Sequence, residues 1–276
     1  MSDYKAFHVE LADKVAHVAI NRPDKINAMN ADFWSEIIQI FRWIDETDSI
    51  RAVVISGAGK HFSSGIDLQM LAQAGAPESQ DIGRNAERIR RKVLELQASF
   101  NAVDNCRKPV LAAIQGYCLG GAIDLISACD MRYAAADAQF SIKEIDMGMA
   151  ADVGTLQRLP RLIGDGLMRE MAYTGRMVGA EEAQRIGLVN RVYPDQAALL
   201  AGVMELAPDS EPTITYSDGA LYISGAEGET LEVISLTGKK VHTETIESPA
   251  QKIELNIPKG CYIVKVGKVV RKVSIR

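Results

Sequence analysis

The chain has 276 residues, with 31 Lys and Arg against 36 Asp and Glu, for a formal net charge of −5. Its 47% hydrophobic content is that of an ordinary globular protein, long enough for one large domain or two smaller ones. The acidic balance gives no support to a nucleic-acid or membrane-surface role, and no apolar run reaches the ~18 residues that span a bilayer. The start, Met1 to Lys5, has neither the basic residues nor the apolar stretch of a secretory signal. Four cysteines (Cys106, Cys118, Cys129, Cys261) lack metal-ligand spacing, so no metal site is expected. Cys118 and Cys129 lie in apolar surroundings and read as buried reduced thiols. These features predict a cytoplasmic protein.

In chain order, alternation through Phe7, Val9 and Leu11 and again through Val15–Ile20 predicts two strands joined at Asp13-Lys14. After a turn at Asn21–Asp24, apolar residues at helical spacing (Phe33, Ile37, Ile40, Phe41, Ile44) predict a helix over 30–48 with Asn30 as N-cap. Ala52–Ser56 reads as a buried strand ending in Gly57-Ala58-Gly59, which is treated as a turn because it fits no phosphate-binding fingerprint. A polar, Gly-containing loop then leads to a long helix near 81–105. A strand over 109–115 follows, then a helix opened by Gly120-Gly121, a strand over 131–135, and helices across about 153–184. Strands alternating with helices indicate an α/β architecture.

From Pro212 the helical period disappears. Short alternating segments (220–224, 231–235, 252–255, 261–266, 269–275) are separated by turns such as Ser217-Asp218-Gly219 and Lys259-Gly260. This spacing predicts a small all-β sandwich. Nine Lys and Arg balance nine Asp and Glu there, so the whole deficit sits in the first part. The sequence therefore reads as a domain of residues 1–207 and a second of 208–276.

Three loops stand out where strands run into loops or helices, the usual ligand-binding edge of α/β folds. They are His61-Phe62-Ser63-Ser64-Gly65-Ile66-Asp67-Leu68, Gln115–Asp124 with its Gly120-Gly121 pair, and Phe140–Gly154. A helix start with adjacent glycines presents free N–H groups to an anionic ligand, although such pairs more often serve only packing. Asp124 also suits a helix dipole, Glu144 a solvated loop, and Asp152 the N-cap of a helix starting near Val153. The small and apolar neighbours of Asp152 favour instead a carboxyl with a raised pKa, suited to proton transfer. The histidines (His8, His17, His61, His242) complete no nucleophilic triad.

Asn21-Arg22-Pro23 with Asn27-Ala28, the loop 61–68, Gly116–Gly121, Thr155–Pro160, Thr174-Gly175-Arg176, Glu182-Ala183 and Gly187-Leu188-Val189 resemble, in order, the enoyl-CoA hydratase/isomerase (crotonase) superfamily. The resemblance spans nearly all of residues 5–200. It implies a spiral of ββα units, an acyl-CoA substrate, a homotrimer, and no cofactor beyond the CoA that the substrate carries. It places an oxyanion hole on the backbone N–H groups of Ser64 and Gly121. Substrate and CoA contacts are implied at Lys25, Ala28, Ser63, Gly65, Ile66, Asp67, Leu68 and Gly120.

The set Asp124, Glu144 and Asp152 is similar to that of Δ3,5-Δ2,4-dienoyl-CoA isomerases, whereas hydratases carry only the first two. The resemblance implies Asp152 as base at C2 and Glu144 as acid at C6, with Asp124 supporting Glu144. Hydration by Asp124 and Glu144, or acyl-CoA binding without catalysis, are the competing readings. Family members continue past the position of Leu206 with further helices. Here Thr230–Lys239 and Ile257–Val266 resemble instead the C-terminal sorting domain of type IX secretion cargo. That likeness makes a secreted or surface-displayed module a further reading. The two halves imply different locations, which favours a chimera over a natural fusion.

Overall fold

In the computed structural model, which describes residues 4–75, 79–207, 213–217, 219–248, 250–267 and 269–275, the opening alternation forms a hairpin. Strands β1 (Phe7–Ala12) and β2 (Val15–Ile20) pair antiparallel. Asp13 and Lys14 turn the chain with φ of 49° and 65°, the hand that matches strand twist. Helix α1 (Ala31–Glu46) begins where expected: the Asn30 side chain accepts the Phe33 N–H at 3.0 Å. Its face of Phe33, Trp34, Ile37, Ile40, Phe41 and Ile44 is buried.

The remaining elements of the first unit are β3 (Ala52–Gly57), α2 (Leu68–Gly75), α3 (Ile82–Asp104), β4 (Val110–Ile114), β5 (Tyr117–Leu119), α4 (Gly121–Ser127), β6 (Met131–Ala135) and β7 (Gln139–Ser141). There follow α5 (Thr155–Arg158), α6 (Pro160–Ile163), α7 (Asp165–Thr174), β8 (Val178–Gly179), α8 (Ala180–Arg185), β9 (Arg191–Tyr193) and α9 (Gln196–Leu206). The main sheet runs β1-β2-β3-β4-β6-β9 and is parallel from β2 onward. A small sheet runs β5-β7-β8, and Ser63 bridges to Cys118 beside it. Each turn of the chain thus visits the large sheet, then the small one, then a helix: β4-β5-α4 is one such unit and β6-β7-α5 the next. This repeat is the expected spiral of ββα units.

Both faces of the main sheet are covered, which explains why β3 and β4 read as unbroken apolar runs. In β3, Val53 and Ile55 pack into the larger core with α1 and α4, while Ala52 and Val54 face the opposite side under Leu199 and Val203 of α9. Cys118 and Cys129 are buried and free, and burial pushes the Cys129 thiol up to about 12.

The first unit comprises residues 1–207 and the second 208–276. In the second, β10 (Thr213–Ser217), β11 (Ala220–Ser224) and β14 (Ala250–Glu254) form one antiparallel sheet. Strands β12 (Thr230–Ser235), β13 (Lys240–Thr245), β15 (Gly260–Val266) and β16 (Val269–Ile275) form the other, in the order β13-β12-β15-β16. Leu221, Ile223, Leu231, Val233, Val264 and Val266 share one core, which makes the pair a sandwich. The boundary residue Pro208, the turn residue Asp218 and the first three residues of the chain lie outside the described residues.

Candidate active site

Backbone geometry decides which amides can meet a substrate. Ile66 forms a parallel bridge with Met29, in which Met29 N–H donates to Gly65 O at 2.8 Å and Asp67 N–H to Met29 O at 3.1 Å. That pattern turns the N–H of Ile66 away from Met29. Gly121 is the first residue of α4, so its N–H has no partner within the helix. The two amides are close: a Cβ on Gly121 would lie 3.8 Å from the Ile66 nitrogen. Gly65 permits this approach. Its φ is +85°, and a Cβ there would stand 2.6 Å from the Leu119 carbonyl oxygen.

This corrects the placement of the oxyanion hole on Ser64. The Ser64 N–H already donates to Ile26 O at 2.9 Å, so the donor beside Gly121 belongs to Ile66. Ser63 is not a substrate contact either. It is fully buried, its hydroxyl donates to Asn27 O and accepts from Gly65 N–H, and its amide donates to Tyr117 O. Its part is to hold the loop.

The carboxyls line the same cleft as these amides. Asp124, on the first turn of α4, is fully buried, and its Oδ1 accepts the Thr155 N–H at 2.6 Å. Asp124 Oδ2, Glu144 Oε2 and Thr155 Oγ1 are buried without a hydrogen-bond partner among the described residues. Burial first, then the neighbouring Glu144 charge, raises the Asp124 carboxyl to about 7; the Thr155 contact opposes them and Asp152 adds a further push. Burial also raises Glu144, with the Asp152 charge adding to it, and partial burial raises Asp152. Three carboxyls that resist ionising together share protons as a set.

Gly120 brings the backbone against this cluster. At φ +52° its absent Cβ would lie 3.3 Å from Glu144 Oε1. Asp152 is exposed, and its carbonyl accepts from Gln97 of α3 at 2.7 Å. It does not cap a helix: α5 begins at Thr155 after Gly154, and Asp124 rather than Asp152 engages the first amide.

One cleft of about 440 Å³ is lined by Ile66, Gly121, Asp124, Glu144 and Asp152 together. Lys25 and Leu68 are instead exposed outside this lining, and Ala28 and Asp67 are held by Arg22, whose guanidinium lies 3.2 Å from Asp67. The apolar wall of Trp34, Met70, Leu71, Ile89, Val93 and Leu96 escaped the sequence reading, as did Met149 and Ala150 as lining residues. Ile89, Val93 and Leu96 recur at helical spacing within α3, a signal that was there to find. A wider groove of about 930 Å³ along α3 is lined by charges that mostly pair with one another, Arg84 with Asp81, Arg91 with Glu87 and Lys92 with Glu95.

The profile of the enoyl-CoA hydratase/isomerase family matches residues 10–210. The mitochondrial Δ3,5-Δ2,4-dienoyl-CoA isomerase of Rattus norvegicus is 48% identical over 210 residues, 75% of this chain and 64% of that protein. The crotonyl-CoA hydratase of Syntrophomonas wolfei is 34% identical over 197 residues, 71% of this chain and 72% of its own. Among solved structures, the enoyl-CoA hydratase of Bacillus anthracis matches with a TM-score of 0.66 at 35% identity, covering 74% of this chain and 75% of that one. The chain thus spans just under two thirds of the length of its rat relative. With its spiral of ββα units, its paired amides and this likeness, the chain belongs to the enoyl-CoA hydratase/isomerase family.

Proposed function

We propose that residues 1–207 isomerise 3,5-dienoyl-CoA to 2,4-dienoyl-CoA, as a step of fatty-acid β-oxidation. The observation that carries this reading is the third carboxyl: Asp152 lines the same cleft as Asp124 and Glu144, together with Ile66 and Gly121. The thioester oxygen sits between the N–H groups of Ile66 and Gly121. Asp152 takes a proton from C2, and the charge spreads through the conjugated chain onto that oxygen, where the two donors stabilise it. Glu144 then delivers a proton to C6, which re-forms the carbonyl and leaves double bonds at C2 and C4. One proton leaves and one arrives, so no water, metal or redox partner is required and CoA enters only with the substrate.

Asp124 supports Glu144 from the same cleft: the Glu144 charge helps raise the Asp124 carboxyl, while burial and the Asp152 charge raise Glu144 towards the protonated form that an acid needs. After turnover Asp152 holds the proton and Glu144 lacks it. The exposure of Asp152 lets solvent reset the pair. Hydration by Asp124 and Glu144 is the second reading, favoured by the likeness to a crotonyl-CoA hydratase. Water addition leaves Asp152 without a task.

The same proposal includes a cytoplasmic location, suggested by the free cysteines, and a homotrimer, suggested by the family resemblance. The second unit is treated as a separate, sorting-domain-like sandwich without a part in the chemistry. The test is a spectroscopic assay on 3,5-dienoyl-CoA, following the conjugated 2,4-dienoyl thioester, with hydration of 2-enoyl-CoA run beside it. Isomerisation exceeding hydration is the expected result. Hydration alone removes Asp152 from the mechanism, and silence on both leaves an acyl-CoA binder.

A further inference from the structure

The segment that carries Asp152 is held by α3. Val153 lines the catalytic cleft and also a polar cavity of about 330 Å³, whose wall includes Gln97, Asn101, Asp104, Arg158 and Arg161. The Gln97 side-chain amide donates to the Asp152 carbonyl at 2.7 Å. The Arg158 guanidinium, on a side chain only 14% exposed, donates to the Val153 carbonyl at 3.3 Å. It also donates to the Asn101 side chain at 2.7 Å and to the Asp104 carboxylate at 3.1 Å. Gln97, Asn101 and Asp104 recur at helical spacing, so one face of α3 engages the whole of this segment. Gly154 lets the guanidinium cross it: at φ +132°, a Cβ there would stand 1.8 Å from Arg158 Nη1.

We propose that Gln97 and Arg158 are positioning residues for the isomerisation, which grip the carbonyls of Asp152 and Val153 and so aim the Asp152 carboxyl at C2. The inference rests on the reading of Asp152 as the base. No side chain among the described residues donates to the Asp152 carboxyl, so its direction is set through the backbone. An aspartate has a single torsion between its Cα and its carboxyl carbon, and fixing the main chain leaves it only a few staggered positions. The same helix walls the cleft with Ile89, Val93 and Leu96, so α3 sets the place of the substrate and of the base together.

The Arg158–Asp104 ion pair is not what carries this role. Asp104 is 52% exposed, and a pair so open to water contributes little. The planar fork reaches three acceptors at once, one of them the Val153 carbonyl, which a lysine ammonium could not reproduce.

The test is steady-state turnover of 3,5-dienoyl-CoA by the full chain, beside the Kd for saturated hexanoyl-CoA. Arg158→Ala should lower kcat by roughly 10²-fold, and Gln97→Ala by roughly tenfold, with KM and Kd within a few-fold of the wild type. Arg158→Lys keeps a charge beside Asp104 but loses the fork, and should stay at least roughly tenfold below the wild type. Arg161→Ala, in the same cavity but bonded to neither carbonyl, should stay within about twofold. In an Asp152→Asn background the loss from Gln97→Ala should vanish, because residues that act as a unit are not additive. If Arg158→Ala does not fold, Gln97→Ala and this double variant carry the test. An equal loss in the Asp152→Asn background overturns the positioning role and leaves Asp152 as base. Full activity in Arg158→Lys, a loss in Arg161→Ala as large as in Arg158→Ala, or a Kd that weakens in step with kcat also overturns it. Full activity in Asp152→Asn alone removes the base reading, and the positioning role with it.

Discussion

The two sides of the cleft are built on opposite rules. In the loop Ser63–Asp67 the polar groups answer one another: Ser63 hydroxyl to Asn27, Ser64 amide to Ile26, Gly65 amide to Ser63, Asp67 amide to Met29. The Ile66 amide is left pointing outward. In the same cleft Asp124 and Glu144, with Thr155 against Asp124, each bury a polar atom without a partner among the described residues. A satisfied loop is rigid and presents one donor in a fixed direction, as transition-state stabilisation needs. An unsatisfied carboxyl cluster costs stability but keeps protons mobile near neutral pH. Positioning is assigned to the first side, and proton chemistry to the second.

The sharpest way to break this comparison is at the base. Asp152→Asn should lower the isomerisation kcat by roughly 10³-fold while leaving the Kd for a saturated acyl-CoA within a few-fold. Retained activity would return Asp152 to an ordinary loop residue. On the other side, Gly65→Ala drives a Cβ into the Leu119 carbonyl and should separate the two amides, lowering kcat by roughly 10²-fold. Ser64→Ala, one position away, should change kcat less than about twofold, because its amide is already engaged and any residue supplies one. Equal losses in these two variants would mean that the Ser64 hydroxyl, and not only the loop's backbone, acts in turnover.

The smallest effect concerns stability. Folded Asp124 holds its proton up to about 7, well above the ordinary aspartate value of 3.8, so between these values the folded chain binds a proton that the unfolded chain has released. Stability from this group is therefore greatest below the lower value and falls as pH rises through about 7, by at most roughly 1.4 kcal/mol per pH unit. Glu144 and Asp152 act in the same direction. Asp124→Asn should make the fall between pH 5 and pH 8 shallower in chemical denaturation. An unchanged slope would mean that Asp124 is ionised in the folded protein.

Much of this organisation was legible in the residues. Asn30, Asp81 and Gly120 mark helix starts, and the alternation at 7–20 and 220–275 marks strands, because caps and period-two burial are local signals. The short strands β5, β7, β8 and β9 were not legible: two or three residues carry no period. Helix α9 was missed because Ala197–Val203 is apolar on nearly every face, so no polar side betrays it. The carboxyl set was readable by motif. The choice between the Ser64 and Ile66 amides was not, since it depends on a bridge to Met29 from a segment more than thirty residues earlier. The Thr155 amide on Asp124 likewise exists only once the loop before α5 has folded back over α4.

The most direct test of the central claim is turnover of a 3,5-dienoyl-CoA in deuterated water, with the label located in the product by NMR. The account predicts a 2,4-dienoyl thioester carrying deuterium at C6, delivered from the solvent-exchanged carboxyl of Glu144. Deuterium confined to C2 of a hydrated product, or a 2,4-dienoyl product with no label at C6, would contradict it.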